Sequence, residues 1–156
     1  MGPNVEYGGY AMRTYTEKRI SDIQGMQLRK KVKRQYIAQI RRRGWADCDC
    51  WSLDRHLARY MLPMLRRLFS SQSGYPCELR PGKWRAIKAE ITWAVERFAK
   101  DDIFEIVEAE TGYKPRSPGG DNRRLRAAWA RRVMALHRRA ERGMILFGKY
   151  FGSLWD

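Results

Sequence analysis

Three cysteines and one histidine have the side chains that suit a metal ion. Cys48 and Cys50 are separated by a single residue, and His56 and Cys77 complete the set. Zinc sites normally pair cysteines that are separated by roughly two to four residues, and no C-x-x-C pair occurs here. We therefore expect no metal and no cofactor. An odd number of cysteines also argues against a disulfide framework.

Carboxylates and histidines are the residues that could carry acid–base chemistry. Asp54, Glu90 and Asp156 are the acids to consider first, because paired carboxylates can exchange protons with a substrate. Helix ends and solvated surfaces also account for acids at such positions. His56 and His137 lie among arginines, with no serine or cysteine partner for a catalytic triad. The sequence predicts no catalytic residue, and we rank an enzyme below a binding protein.

Arginine and lysine give the strongest functional indication. The formal net charge is +15, from 32 Lys plus Arg against 17 Asp plus Glu, and segments 29–43 and 123–142 are densest in cations. Like charges repel along a helix, whereas guanidinium groups bind phosphate and stack on bases. A solvated helix face is the alternative interpretation. The residues that we predict to contact a ligand are Arg29, Lys30, Lys33, Arg34, Arg41, Arg42, Arg124, Arg131, Arg138 and Trp93.

Segment 51–69 predicts the helix around which the rest of the chain is organised. Apolar residues recur there every three to four positions, which places them on one face that needs a partner. The stripe continues in phase across Pro63, so we predict one kinked helix. The members of the stripe are Leu53, Leu57, Met61, Leu65 and Leu68. If the rings of Trp51 and Trp155 are part of the core, their loss should destabilise the protein.

The other elements also read as helices. We predict a flexible arm over 1–16, a first helix over 17–43 that stops at Gly44, and a helix over 84–98. A short helix capped by Asp101 or Asp102 ends at Gly112, and a long last helix follows a linker over 113–121. No strand or repeat is visible. The predicted fold is all-α: a single-domain bundle of four to five helices over 17–156, with long N- and C-terminal helices.

Two blocks of this sequence resemble the ends of a family of small uncharacterised phage-encoded proteins. They are W-S-L-D-R-H-L-A-R-Y-M-L-P-M-L over 51–65 and L-F-G-K-Y-F-G-S-L-W-D over 146–156, and the resemblance covers roughly residues 45–156. Gly74, Pro76 and Trp84 lie where such proteins place a loop and the next helix. The resemblance implies a viral accessory protein and no catalytic residues. The arginine content here is heavier than the family pattern requires.

These observations lead to two hypotheses about the partner. The first is a non-enzymatic protein that binds an anionic nucleotide-type ligand, such as a nucleotide immune signal sequestered in counter-defence. The second is a nucleic-acid-binding protein, or an inhibitor that docks on a nucleoprotein complex such as a CRISPR effector. The aromatic segment 147–155 is a base-stacking platform or, more in keeping with its helical spacing, a core and homo-oligomer surface.

The expected cellular location of the protein rests on two features that the sequence lacks. No basic-then-apolar signal begins the chain, and no apolar run is long enough to span a membrane. We expect a protein of the host-cell cytoplasm with no membrane partner.

Overall fold

The computed structural model describes residues 7–72, 74–115 and 123–154, with side chains from residue 15 onward. Every regular element in these ranges is helical, so the all-α prediction is confirmed for this part of the chain. The six α-helices are α1 (Tyr7–Gly25), α2 (Lys30–Arg43), α3 (Leu53–Ser71), α4 (Pro81–Lys100), α5 (Ile103–Thr111) and α6 (Arg123–Lys149). Short 3₁₀ turns span Asp47–Ser52 and Phe151–Ser153. The prediction of four to five helices was therefore too low. None of the six is both long and apolar enough to cross a membrane.

The extra helix comes from a break in the predicted first helix. α1 starts at Tyr7, within the stretch expected to be an arm, and ends at Gly25. α2 then starts at Lys30 and ends where predicted, at Gly44, which takes a left-handed φ of 85°. Ile23 and Ile40 are both buried in one small cluster with Ala46. Two helices that turn back on each other can share this cluster, whereas one continuous helix could not.

The chain divides into two compact units, Met1–Leu53 and Asp54–Asp156. In the first unit, the 3₁₀ turn is held to α1 by a buried ion pair. Asp49 is 4% exposed, and its Oδ1 accepts a hydrogen bond of 2.8 Å from Arg19 Nε. The other carboxylate oxygen accepts one of 2.8 Å from the Ala46 backbone N–H. A buried carboxylate needs such partners.

In the second unit, α4 is the element on which the others pack. Trp84, Ile87, Ile91 and Val95 are buried along one face, as the spacing predicted. They share a cluster with residues of α3 and with Tyr150, which follows α6. A separate cluster joins α5 to α6 and includes half-buried Trp93 from α4. Trp93 is therefore a second contact surface of α4.

Helix α3 passes through Pro63 without interruption, as predicted, but only part of the predicted stripe, including Met61 and Leu65, packs into the core. Ala58 and Leu65 are buried, whereas Leu53 and Leu57 are 52% and 45% exposed. Positions four apart advance by about 40° per step around a helix, so a row of i, i+4 residues drifts away from a straight partner. Trp51 is 80% exposed and does not belong to the core. Trp155 lies outside the described residues.

The junction between α4 and α5 differs from the expected cap. Asp101 ends α4 in the left-handed region, at φ 54°, and its carboxylate pairs with Arg55. Asp102 precedes α5 but makes no side-chain capping bond; both of its oxygens accept hydrogen bonds from Arg97, at 2.9 and 2.8 Å. Gly112 ends α5 at a left-handed φ of 68°, as predicted. The acids at this junction therefore bind arginines of other helices.

Candidate functional site

Helix α6 carries arginines in adjacent pairs, and the two members of a pair lie on different faces. Adjacent residues are separated by about 100° around a helix, and residues seven apart lie nearly in line, about 10.5 Å from each other along the axis. Arg124, Arg131 and Arg138 form one such line, which we call the outer row, and all three are exposed. No described carboxylate lies within ion-pair distance of Arg131 or Arg138.

The neighbouring line, Arg132 and Arg139, binds acids of other helices. Arg132 donates hydrogen bonds of 2.6 and 3.1 Å to the two oxygens of Glu110 in α5. Arg139 donates bonds of 2.9 and 2.7 Å to Glu90 in α4. These bonds hold the pKa of Glu110 and of Glu90 below the ordinary glutamate value. This inner row tethers α6 to its neighbours and leaves its charge neutralised.

The ring of Trp93 contacts Arg139 of the inner row. The guanidinium carbon of Arg139 lies 4.1 Å from the centroid of the Trp93 ring, a cation–π arrangement. Arg97 lies farther away, at 5.7 Å. A ligand therefore has access only to the part of the ring that these contacts leave open.

Helix α2, in the other unit, has its own cationic face. The helix contains no acidic residue. Its apolar residues Tyr36, Ile37 and Ile40 pack inward, and the exposed positions gather on the opposite side. Lys33 differs from the other predicted residues because its Nζ donates a hydrogen bond of 2.7 Å to the Gln24 carbonyl. The exposed cations, for which the described chain supplies no carboxylate partner, are Arg29, Lys30, Lys31, Arg34, Arg41 and Arg42.

The last arginine of α2 has a structural role. The guanidinium of Arg43 lies 3.5 Å from the centroid of the Trp45 ring and pairs with Asp47. Its Nε also donates a hydrogen bond of 3.2 Å to the Trp45 carbonyl. Arg43 was not among the predicted ligand residues, and these contacts satisfy it within the fold.

An open groove of about 660 Å³ runs between α3 and α4. Three cations and two aromatic rings line it, together with one acid. The lining residues are Arg66, Phe69, Ser70, Arg85, Lys88, Ala89, Thr92, Trp93 and Glu96. Of the predicted site residues only Trp93 lies here. The cations of the groove were not among the predicted residues, although Arg85 and Lys88 lie three residues apart, on one face of α4.

The structure describes most of the residues considered for metal or acid–base chemistry. Cys48, Cys50 and Cys77 are free thiols, and burial raises the pKa of the Cys48 thiol above its ordinary value. In the described ranges no three His, Cys, Asp or Glu side chains are placed to hold a metal ion. Asp54 is exposed, Glu90 is bound by Arg139, and Asp156 lies outside these ranges.

Comparison with known proteins finds no family model, no curated protein and no solved structure that matches this chain.

Proposed function

We propose that this protein is a non-enzymatic binder of nucleic acid that contacts the phosphate backbone through the outer row of α6 and the cationic face of α2. The outer row is the observation that carries the proposal. Its arginines repeat at the same interval as the inner row, yet no described carboxylate pairs with Arg131 or Arg138 in the way that Glu110 and Glu90 pair with Arg132 and Arg139. Two unneutralised guanidinium groups on one side of a helix are stabilised when counter-charge arrives.

The spacing of the outer row favours a polymer over a small nucleotide. Arg124 and Arg138 are about 21 Å apart along the helix axis. Groups so far apart cannot converge on the phosphates of one nucleotide, whereas a strand presents a charge about every 3.4 Å. The residues between them include Ala127 and Ala135, which read no base edges. We therefore propose binding that depends little on sequence.

The setting of this binding follows from the resemblance of 51–65 and 146–156 to phage-encoded proteins. The proposal is a phage accessory protein, built on a helical bundle, that acts in the host cytoplasm on nucleic acid or on a nucleoprotein complex. Counter-defence is the role that such a protein would serve.

The test is fluorescence anisotropy with random-sequence single strands and duplexes over a range of salt concentrations. The variant Arg131→Gln/Arg138→Gln should bind more weakly and show a salt slope lower by roughly 1.4–1.8, since each lost phosphate contact removes about 0.7 for single strands and 0.9 for duplex. The matched control is Arg132→Gln/Arg139→Gln, which removes the same charge from the same helix. This control should melt at a lower temperature but keep more of the affinity.

Two outcomes would contradict the proposal. The first is the absence of binding to any strand at about 50 mM salt, where non-specific electrostatic binding is strong. The second is an equal loss of affinity in both double variants, because net charge alone would then explain the binding.

A further inference from the structure

We infer that the groove between α3 and α4 binds a nucleotide, with its phosphate at Arg85 and Lys88 and its base against Phe69 and Trp93. The ligand is a free nucleotide or one unit of a bound strand, since both present the same chemistry. The outer row lies on α6 and contributes no residue to this groove. The inference extends the proposed function to a second surface and can fail independently of it.

The phosphate end is defined by two cations one turn apart on α4. Arg85 is exposed, and no carboxylate of the described residues pairs with it. Lys88 is half-buried, and its Nζ donates a hydrogen bond of 3.3 Å to the Phe69 carbonyl and lies 5.7 Å from the centroid of the Phe69 ring. An ammonium group has three hydrogens to donate, so two remain for a ligand. A fixed lysine beside an unpaired arginine is a suitable phosphate site.

The opposite end of the groove has an acid among its cations. Glu96 lies 3.1 Å from Arg66 and 2.6 Å from Lys100. The hydrogen bond from Lys100, followed by the charges of Lys100, Arg66 and Arg97, holds the pKa of Glu96 below its ordinary value, so this carboxylate is ionised at neutral pH. Glu96 is the one acid among the lining residues, so an anionic group is favoured at the Arg85 end, where the two cations have no acid beside them. This asymmetry orients a ligand that has one anionic end.

The middle of the groove suits a planar ring. The surface that lines it is mostly apolar. The Thr92 hydroxyl already donates a hydrogen bond of 2.8 Å to the Lys88 carbonyl, so its hydrogen is not available to a ligand. Trp93 follows Lys88 by about 7.5 Å along the helix axis, which is comparable to the distance between the phosphate and the base of one nucleotide. A volume of about 660 Å³ lies within the range of small-molecule sites. Bases stack on aromatic side chains without regard to sequence.

The test is isothermal titration calorimetry on the full chain with AMP, ATP, adenosine, inorganic phosphate and a four-nucleotide single strand. ATP or AMP should bind, and adenosine and phosphate alone should each bind at least about tenfold more weakly, because each lacks half of the contacts. The variant Arg85→Gln/Lys88→Gln should lose about tenfold or more in affinity for ATP. Its matched control, Arg67→Gln/Lys83→Gln, removes the same charge at exposed positions outside the groove and should remain within about twofold.

The remaining titrations distinguish a free nucleotide from a nucleic-acid strand as the ligand, and they test this inference separately from the proposed function. Tighter binding of the four-nucleotide strand than of AMP assigns the groove to strand recognition, and the reverse assigns it to a free nucleotide; both support the site. The variant Arg131→Gln/Arg138→Gln should bind AMP like the unaltered protein even if strand binding fails. No heat at millimolar nucleotide, equal losses in the two groove variants, or phosphate binding as tight as ATP binding would overturn the inference.

Discussion

The tryptophans of this protein differ widely in how much of the ring is exposed to solvent. Trp51 is 80% exposed, whereas Trp84 is 2% exposed and makes edge-on contacts with Phe69 and Tyr150. The indole N–H of Trp84 also donates a hydrogen bond of 3.3 Å to Gln72. Hydropathy alone predicts that both rings are buried, because an aromatic residue next to a helical stripe is typical of a core position. The structure shows that only Trp84 is buried, because burial depends on which face of a helix packs against its neighbours.

This difference gives a prediction for a pair of single substitutions. Trp84→Ala should lower the free energy of unfolding by about 3–5 kcal/mol, since it removes a large buried ring. Trp51→Ala should change it by less than about 0.5 kcal/mol, as exposed positions usually do. Urea unfolding followed by circular dichroism measures both. A large loss in Trp51→Ala would show that its ring is covered in solution.

The arginines show a limit of prediction at the residue scale. The sequence identified segment 123–142 as dense in cations and Arg124, Arg131 and Arg138 as ligand residues. It could not tell which line binds acids, since Glu90 and Glu110 lie 49 and 22 residues away from their arginines in the chain. Likewise, the partners of Asp49 could not be read from the segment around it. Contacts between residues distant in sequence depend on the fold and leave no local pattern.

At the scale of the helix, ends proved easier to predict than breaks. Gly44 and Gly112 mark helix ends because each adopts a left-handed backbone that favours glycine. Gly25 lies at a break inside the helix predicted over 17–43, and its presence alone does not predict a break, since glycine costs just about 1 kcal/mol inside a helix. The turn there is stabilised by the packing of Ile23 and Ile40, which is a tertiary effect. The groove on α4 was missed for a similar reason, because it requires α3 beside it.

The crossing of α4 and α6 depends on the absence of a side chain at Gly143. A methyl group there would lie 2.8 Å from the Glu90 carbonyl oxygen and would also collide with the side chain of Ala94. Gly143→Ala should therefore lower the free energy of unfolding by about 1–3 kcal/mol through overpacking. Gly148→Ala, on the same helix with nothing within 4 Å, is the control and should not destabilise. Thermal unfolding of the two variants checks this, and similar melting temperatures would contradict the crossing geometry.

At the scale of the whole molecule, acid should weaken the fold. The pKa values of Glu90 and Glu96 are held below the ordinary value of 4.5 by their basic partners. The stability that these pairs contribute is present above 4.5 and is lost as the pH falls through the lowered values in the folded protein. Each pair is largely solvated, so its contribution is about 1 kcal/mol or less. The urea midpoint should fall between pH 5 and pH 3, roughly the titration range of paired carboxylates.

Substitution of one of these acids provides the control. Glu90→Gln removes a titrating group, so its urea midpoint should start lower at neutral pH and fall less steeply below pH 5, near the start of that range. A slope identical to that of the unaltered protein would show that Glu90 is not bound by Arg139 in solution.

The arginine doublets also bear on how α6 finds its alignment along α4. If α6 were shifted by one position, so that Arg131 and Arg138 took the places of Arg132 and Arg139, it would still offer an arginine to Glu110 and to Glu90. The ion pairs alone therefore do not distinguish these two alignments. Gly143 does, since the same shift would push Arg142 into a space that lacks room even for a methyl group. Gly143, which has no side chain, thus fixes the alignment of α6 along α4 that the charged residues leave open.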